Sequence, residues 1–160
     1  MKYTEGNAAE LKDKFWHALG HSSFVMLQLD ADAESGAPMT ASLDKDAHHA
    51  IWFFTRKDNR FAALGPVTAN YESKGHDLFA RFAGTLVEET SRERLDKQWS
   101  NMTEAWFPGG KDDPNLLFVR MDLGDASIWS GELGVLGTAK MFMGIDVRDE
   151  VKGSFAETTL

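Results

Sequence analysis

The sequence contains no cysteine. This absence excludes a disulfide scaffold, a thiolate metal site and a cysteine nucleophile. No stretch approaches the roughly 20 apolar residues of a membrane-spanning helix. Basic residues number 17 against 25 acidic ones, which gives a formal net charge of -8. Because an acidic surface repels phosphate backbones and anionic lipids, we expect neither nucleic acid nor a membrane as a partner.

Common catalytic motifs are absent as well. The sequence has no nucleophile elbow, phosphate-binding loop or dinucleotide fingerprint. His17 and His21 have the spacing of two metal ligands on a helix, but Gly20 lies between them and no acidic ligand follows at a recognised spacing. We therefore expect no metal site. The lack of cysteine and of an apolar leader predicts a cytoplasmic protein.

Length and composition predict one globular domain. The chain has 160 residues, of which 42% are hydrophobic and 26% are charged. These proportions are typical of folded proteins. We expect a single domain over residues 1–160, with a C-terminal tail from about residue 145.

The pattern of apolar residues predicts a mainly β protein with flanking helices. A first helix is predicted from the N-cap Asn7 to Gly20, and a second from Ser91 to about Trp106. A short helix is expected over residues 58–64, with Asp58 as its N-cap. Strands are predicted at residues 23–29, 38–43, 51–55, 67–71, 76–87, 116–123 and 126–130.

Two details refine this prediction of an antiparallel sheet. Strand 23–29 is apolar almost throughout, which predicts that it is covered on both faces. Gly84, inside the strand at residues 76–87, predicts a bulge or bend of the kind that small barrels need. The pattern alone leaves a barrel and a sandwich both open.

A cluster of cations stands out in this acidic chain. The segment from Thr55 to Arg60 supplies three cations, a hydroxyl and an amide beside a predicted helix N-terminus. Such a group fits a phosphate, since a helix N-terminus favours negative charge and arginine can donate two hydrogen bonds. A solvated charged turn has the same composition, so residue chemistry leaves both interpretations open.

The predicted strand at residues 38–43 contains small and mid-sized side chains from Pro38 to Ser42. Small residues let a flat ring approach the backbone closely. They also suit a core strand that packs opposite Trp52 and Phe54. With 5 tryptophans and 11 phenylalanines, the chain can line an aromatic pocket as well as fill a core.

These segments, together with the sequence AWFPGGKDDPN from Ala105 to Asn115, resemble the general stress protein branch of the pyridoxamine 5'-phosphate oxidase-like family. The resemblance covers residues 8–144, and the AWFPGGKDDPN segment is its most specific part. It implies an antiparallel split β-barrel that binds a flavin, FMN or alternatively FAD, as a homodimer with the flavin at the interface.

The resemblance also implies site residues. In related oxidases the flavin ring lies along the second strand, which maps to Met39, Thr40, Ala41 and Ser42. The phosphate is held at the end of the next strand and in the following turn, which maps to Phe54, Thr55, Asn59 and Arg60, with Arg56 and Lys57 near by. From the partner chain, Trp106 is the candidate that closes the site. Because Trp106 shares a helical face with Leu95, Trp99 and Met102, core packing is its alternative role.

The sequence departs from the oxidases at three basic positions. Ala37 and Ser42 stand where oxidases have an arginine and a lysine, and Phe61 follows Arg60 where a lysine is frequent. The set of basic residues that could hold the phosphate is therefore smaller than in the oxidases. The C-terminal arginine and histidine pattern of pyridoxamine phosphate oxidases is absent too, which argues against vitamin B6 oxidation.

The resemblance implies a flavin-binding general stress protein whose chemistry, if it has any, is flavin redox chemistry. One alternative is an FMN-dependent oxidoreductase that uses a nicotinamide donor. Another is a split barrel that binds a different ligand. The sequence identifies no catalytic acid or base.

Overall fold

The structure is a computed structural model that describes residues 2–132, 143–144 and 152–160. Its strands are β1 (Lys2–Glu5), β2 (Phe24–Leu29), β3 (Ala37–Thr40), β4 (Ala50–Arg56), β5 (Gly65–Glu72), β6 (Leu78–Glu88), β7 (Leu116–Glu132) and β8 (Lys152–Thr159). Its α-helices are α1 (Ala8–His21), α2 (Arg92–Gln98) and α3 (Asn101–Trp106), and short 3-10 helices cover Arg60–Ala63 and Gly110–Asp112. None of the helices in these ranges is long and apolar enough to cross a membrane.

The strands form one curled sheet. Its order is β1-β8-β7-β6-β5-β2-β3, and β4 returns to pair with β7. All of the pairs are antiparallel except β1 with β8. Between β3 and β4, the described backbone pairs at a single bridge, where Ser42 and Trp52 exchange N–H···O hydrogen bonds of 2.8 and 3.0 Å. The barrel is therefore open along this seam, and the predicted split β-barrel is confirmed.

Helix α1 packs against β6, β7 and β8 on the inner side of the sheet. The Asn7 side chain accepts hydrogen bonds from two backbone N–H groups of the first turn at 3.0 and 3.2 Å, so the predicted N-cap is confirmed. Leu11, Phe15 and Leu19, spaced four residues apart on one face of the helix, are buried in the core. The Phe15 ring meets Phe82 edge-on, with ring centroids 5.3 Å apart. The helix ends at His21, one residue beyond the predicted Gly20.

Strand β7 is continuous where two strands were predicted. Gly124 and Asp125 have the composition of a turn, but neighbouring strands hold them in the ladder, since Asp125 pairs with Thr159 of β8. On the other side the register of β6 against β7 shifts between Phe82 and Gly84, so the predicted bulge is confirmed. Ladder pairing with distant strands thus outweighs local turn preference here.

The predicted helix from Ser91 to Trp106 is two helices. Trp99 has extended backbone, with φ -66° and ψ 135°, and ends α2. The Ser100 hydroxyl then accepts the backbone N–H of Thr103 at 3.1 Å and caps α3. The short helix predicted over residues 58–64 is a single 3-10 helix, and its N-cap is Asn59 rather than Asp58.

Strand β8 lies in the segment that was expected to be a tail. It pairs with β7 over its whole length and with β1 over residues 152–155, and Ala156 is buried against the core. Its sequence carries little apolar alternation, so no local signal predicted it. Leu133, Leu136 and Met141, and residues 145–151 of the expected tail, lie outside the described residues.

Candidate functional site

The open seam beside β3 contains the residues that were predicted to contact a flavin ring. Strand β3 pairs with β2 and ends the sheet order. The Ala41 N–H donates to the Ser23 carbonyl of the chain before β2 at 2.7 Å. Because hydrogen bonds alternate along an antiparallel strand, the backbone groups of Thr40 point the other way, into the seam.

The side chains of this strand divide between the core and the surface. Ala41 is buried and Met39 is half-buried against the main core, so both lie beneath the surface of the strand. Ser42 is held by its bridge to Trp52. Thr40 is exposed and its backbone groups face the seam, which makes it the predicted ring residue best placed to meet a ligand.

The turn after β4 brings the predicted phosphate residues together, and two of its three cations already have partners. The Arg56 Nε donates to Asp58 Oδ1 at 3.0 Å, and this hydrogen bond raises the pKa of Arg56. The Arg60 Nη1 donates to the carbonyls of Glu34 at 3.4 Å and Ser35 at 3.1 Å. Arg60 therefore fastens this turn to the loop between β2 and β3.

The remaining residues of the turn differ in availability. Thr55 is 6% exposed, and the Asn59 side chain accepts the Phe61 N–H at 2.9 Å. Lys57 is exposed, and within the described ranges it makes no ion pair. Lys57 is thus the cation of the turn that an anion can reach without displacing another group.

Phe54 belongs to a smaller aromatic core on the outer side of β4. Its ring stacks on Phe118 at 4.6 Å and meets Trp99 edge-on at 5.6 Å. A half-buried ring in this cluster supports the end of β4 and so the turn that follows. Its contact with a cofactor stays a prediction.

Trp106, at the end of α3, is 75% exposed, and Met102 one turn earlier is 73% exposed. The core-packing alternative for Trp106 is therefore wrong for the single chain. The adjacent Phe107 is buried and anchors the helix end. A large exposed indole on an anchored helix is available to a ligand or to another chain.

The outward-facing side of the sheet, which we call the outer face, exposes large apolar side chains. In β2, alternate residues are buried, but Phe24 is 66% exposed and Met26 is 48% exposed. The prediction that this strand is covered on both sides is wrong within one chain. A groove of about 450 Å³ crosses this face, and the residues that line it include Phe24, Met26, Pro38, Asn70, Glu72, Phe79, Arg81 and Trp129.

The sequence analysis did not predict a charged cluster beside the seam, in which Arg94 and Lys97 both bind the buried carboxylate of Asp44. The Asp44 side chain is 3% exposed and accepts hydrogen bonds from Arg94 and, at 2.7 Å, from Lys97 Nζ. The bond from Lys97, with help from the Asp46 N–H and Arg94, holds the pKa of Asp44 well below its usual range. Asp44 lies in a polar loop, so nothing in its neighbourhood along the chain indicated this role.

This cluster ties α2 to the loop after β3. The Arg94 guanidinium also lies 4.5 Å from the centre of the Trp52 ring, and the Trp52 Nε1 donates to Glu89 at 3.0 Å. Trp52 in turn holds Ser42 through the seam bridge. The polar cluster therefore fixes the end of the seam at which the barrel closes.

An antiparallel barrel that is open along one seam, with a cationic turn beside the opening, defines the split-barrel class. The family model described as "Pyridoxamine 5'-phosphate oxidase like" matches residues 10–150. The chain belongs to this family, within its general stress protein branch.

Solved structures of relatives support this assignment. The chain is 42% identical to the general stress FMN/FAD binding protein of Xanthomonas citri, over 80% of this chain and 94% of that chain, with a TM-score of 0.74. It is 29% identical to a general stress protein 26 from Jannaschia sp. CCS1, over 96% of this chain and all (100%) of that one, with a TM-score of 0.81.

A curated relative is similar over a shorter stretch. General stress protein 26 of Bacillus subtilis (strain 168) is 37% identical over 57 residues. That stretch is 35% of this chain and 40% of the relative, so the match spans less than half of the relative's length.

Proposed function

We propose that the protein binds a flavin, with FMN preferred to FAD, at a site shared between two copies of the chain. The observation that carries this proposal is the open seam, where the backbone groups of Thr40 point into the gap next to a cationic turn. A bound flavin supplies redox chemistry, while the protein supplies position and electrostatics. The names of relatives that bind FMN or FAD agree with this function. The cytoplasmic location expected from the sequence stays a prediction.

The seam fits the flavin ring. Backbone N–H and C=O groups of Thr40 can pair with the polar edge of the ring, while Met39 and Ala41 keep the strand flat by packing inward. Ser42 borders the ring where the seam closes. The strand therefore offers backbone polar groups beside small side chains, an arrangement that suits a planar ligand.

The turn fits the phosphate less completely. We assign the main contact to Lys57, which is exposed and has no competing ion pair within the described chain, whereas contact of the phosphate with the buried Thr55 hydroxyl stays a prediction. Arg60 and Asn59 shape the turn through bonds within the chain, and Arg56 shares its charge with Asp58. The phosphate therefore receives fewer free charges than the sequence suggested.

The outer face supports the shared site. Phe24 and Met26 on β2 and Phe79 on β6 are exposed around one groove, with β5 between the two strands, and exposed apolar surface of this kind marks interaction sites on globular proteins. Two-fold pairing of identical chains is the most frequent way to cover such a face. In the dimer, Trp106 of one chain closes the flavin site of the other.

An FMN titration followed by fluorescence quenching tests the proposal. Replacing Lys57 with glutamate should weaken FMN binding by roughly 10–100-fold, because a charge-assisted hydrogen bond contributes roughly 1.5–3 kcal/mol and each 1.4 kcal/mol is tenfold. Riboflavin, which lacks the phosphate, should bind the variant and the wild type equally.

Two further variants make the result specific. Lys45→Glu, at an exposed lysine in the loop after β3, is the matched control and should bind FMN normally. Arg60→Glu should weaken FMN binding and also loosen the loop at Glu34 and Ser35 that it fastens. A wild-type protein that binds neither FMN nor FAD would refute the proposed function, and an unchanged FMN affinity in Lys57→Glu would move the phosphate away from this turn.

A further inference from the structure

A cavity of about 410 Å³ lies where the seam closes, between the loop that follows β3 and the C-terminal end of α2. We call it the closed-end cavity. The residues that line it include Ser42, Lys45, Lys97, Gln98 and Trp99. Its volume falls within the range of small-molecule sites in proteins, so its lining can be examined for the ligand that it suits.

Ser42 connects the closed-end cavity to the strand assigned to the flavin ring. Successive side chains of an extended chain point to opposite sides, so Ser42 lies on the same side as Thr40 and away from the buried Ala41. The bridge partner of Ser42 is Trp52, whose ring belongs to the aromatic core beneath α2. The cavity therefore continues the seam beyond Thr40, and a molecule bound there would lie beside the flavin ring.

The charged groups around the cavity carry a net positive charge, although the chain as a whole is acidic. Arg94 and Lys97 both bind the buried Asp44. The Lys97 Nζ also lies 3.9 Å from the Asp46 Oδ2. Lys45 is exposed and makes no ion pair or side-chain hydrogen bond within the described ranges. Three cations thus face two carboxylates, and the remaining single charge fits a carboxylate better than a phosphate, which carries a charge of about -1.5 to -2.

Gln98 adds a polar group that has no partner. Its Nε2 and Oε1 atoms are buried, and neither makes a hydrogen bond within the described part of the chain. Because burial of an unsatisfied amide is costly, its presence beside a cavity points to a ligand that supplies the missing hydrogen bond. The two atoms lie below the surface of the cavity, so the side chain has to turn toward the ligand to reach it.

We propose that the closed-end cavity binds a small aromatic carboxylate. The carboxylate lies between Lys45 and the N–H donors of Lys97 that Asp44 leaves unused, and Gln98 turns to donate its Nε2–H to the same group. The ring of the ligand packs on the half-buried indole of Trp99, which offers a flat apolar wall. Binding itself does not require the flavin, whereas the position of the ligand beside the flavin ring rests on the proposed function.

Calorimetric titration of the flavin-free protein with benzoate tests the site. Benzamide, which has the same ring without the charge, should bind about tenfold more weakly, because a charge-assisted hydrogen bond is lost. Phenyl phosphate should also bind more weakly than benzoate. Equal binding of benzamide, or tighter binding of phenyl phosphate, would overturn the assignment of a carboxylate.

Two lysine variants separate this site from the flavin site. Lys45→Glu should weaken benzoate binding by about tenfold or more, since a like charge replaces the free cation, and should leave FMN binding unchanged. Lys57→Glu is the matched control and should bind benzoate like the wild type. Equal loss of benzoate binding in both variants, or no benzoate binding by the wild type, would overturn the site and leave the flavin proposal intact. A protein that binds benzoate as expected but binds no flavin would refute the flavin proposal alone.

Gln98→Met tests the role of the amide, because methionine has a similar length and lacks the polar atoms. This variant should bind benzoate roughly 3–10-fold more weakly, yet unfold in urea at the same or a higher concentration than the wild type, since an unsatisfied buried group has been removed. Circular dichroism checks that the variant is folded. A variant that is less stable and binds benzoate normally would overturn the role of Gln98 and show that its amide serves the fold.

Discussion

Replacement of Trp106 with alanine separates a ligand-covering role from a structural one. Trp106 is 75% exposed, so about a quarter of its side chain contacts the rest of its own chain. A tryptophan side chain has up to about 250 Å² of surface, so the contact amounts to roughly 60 Å². At ~25 cal/mol per Å², its loss should lower the free energy of unfolding by ~1.5 kcal/mol at most.

Urea unfolding of the flavin-free protein measures this change. Trp99→Ala is the matched comparison, because Trp99 is half-buried between Phe54 and Phe107. Its removal should cost roughly 3–5 kcal/mol, as for other aromatic residues in a core. Two tryptophans seven residues apart are therefore expected to differ severalfold in their effect on stability.

Flavin fluorescence then tests the covering role. If Trp106 lies against the flavin, FMN bound to Trp106→Ala should fluoresce more brightly, since a quenching ring has been removed. The FMN affinity should fall by roughly tenfold, which is what one aromatic contact of about 1.4 kcal/mol contributes. A stability loss of 3 kcal/mol or more, together with unchanged FMN affinity and quenching, would contradict both the exposed position and the covering role.

The remaining predictions concern the fold. Gly84→Ala should lower the free energy of unfolding by ~1–3 kcal/mol in urea, because a Cβ there would lie 2.6 Å from the Asp122 carbonyl oxygen. Gly124→Ala, whose Cβ would lie 3.5 Å from its nearest neighbour, should change it little, and equal effects would contradict the steric argument. Asp44 has a pKa that is lower folded than unfolded, so its stabilising contribution is complete above the unfolded value of about 3.9 and is lost as the pH falls below it. Melting temperatures from pH 7 down to pH 3 should therefore fall less steeply for Asp44→Asn than for the wild type, and parallel slopes would show that Asp44 does not carry this dependence.

The features that the sequence predicted correctly depend on nearby residues. The Asn7 cap needs only the N–H groups of the next turn, and the buried face of α1 follows from a spacing of four residues. The bulge at Gly84 was indicated by one glycine in an otherwise apolar strand. In each case the residues that decide the structure lie within about one turn or one strand of each other.

The features that the sequence analysis missed depend on distant residues. Strand β8 exists because β7 and β1 offer it two ladders, although its own sequence is weakly apolar. The continuity of β7 through Gly124 likewise comes from the strands beside it. Local residue propensity carries no information about these partner strands.

The candidate site shows the same division. The cations from Arg56 to Arg60 could be located because they cluster in an acidic chain. Their availability could not be predicted, since the bonds from Arg60 reach carbonyls 25 and 26 residues away. The exposure of Trp106 could not be predicted either. The sequence placed it on one face of a single helix with Leu95 and Trp99, but that helix breaks before α3, whose N-cap is Ser100.

In the proposed site, the partial neutralisation of the turn means that more of the flavin affinity has to come from contacts with the ring. With Arg56 held by Asp58 and Arg60 held by two carbonyls, the phosphate gains fewer strong contacts than a full basic cage would give. A flavin ring bound in the seam of one chain would still expose one face to water, and burial of that face would add binding free energy. In the proposed dimer, Trp106 of the second copy supplies that cover. Flavin binding and dimerisation then strengthen each other by the same factor, because any coupling between two binding equilibria is reciprocal. Under this proposal, substitutions at the outer face are expected to change flavin affinity even where the residues do not touch the flavin.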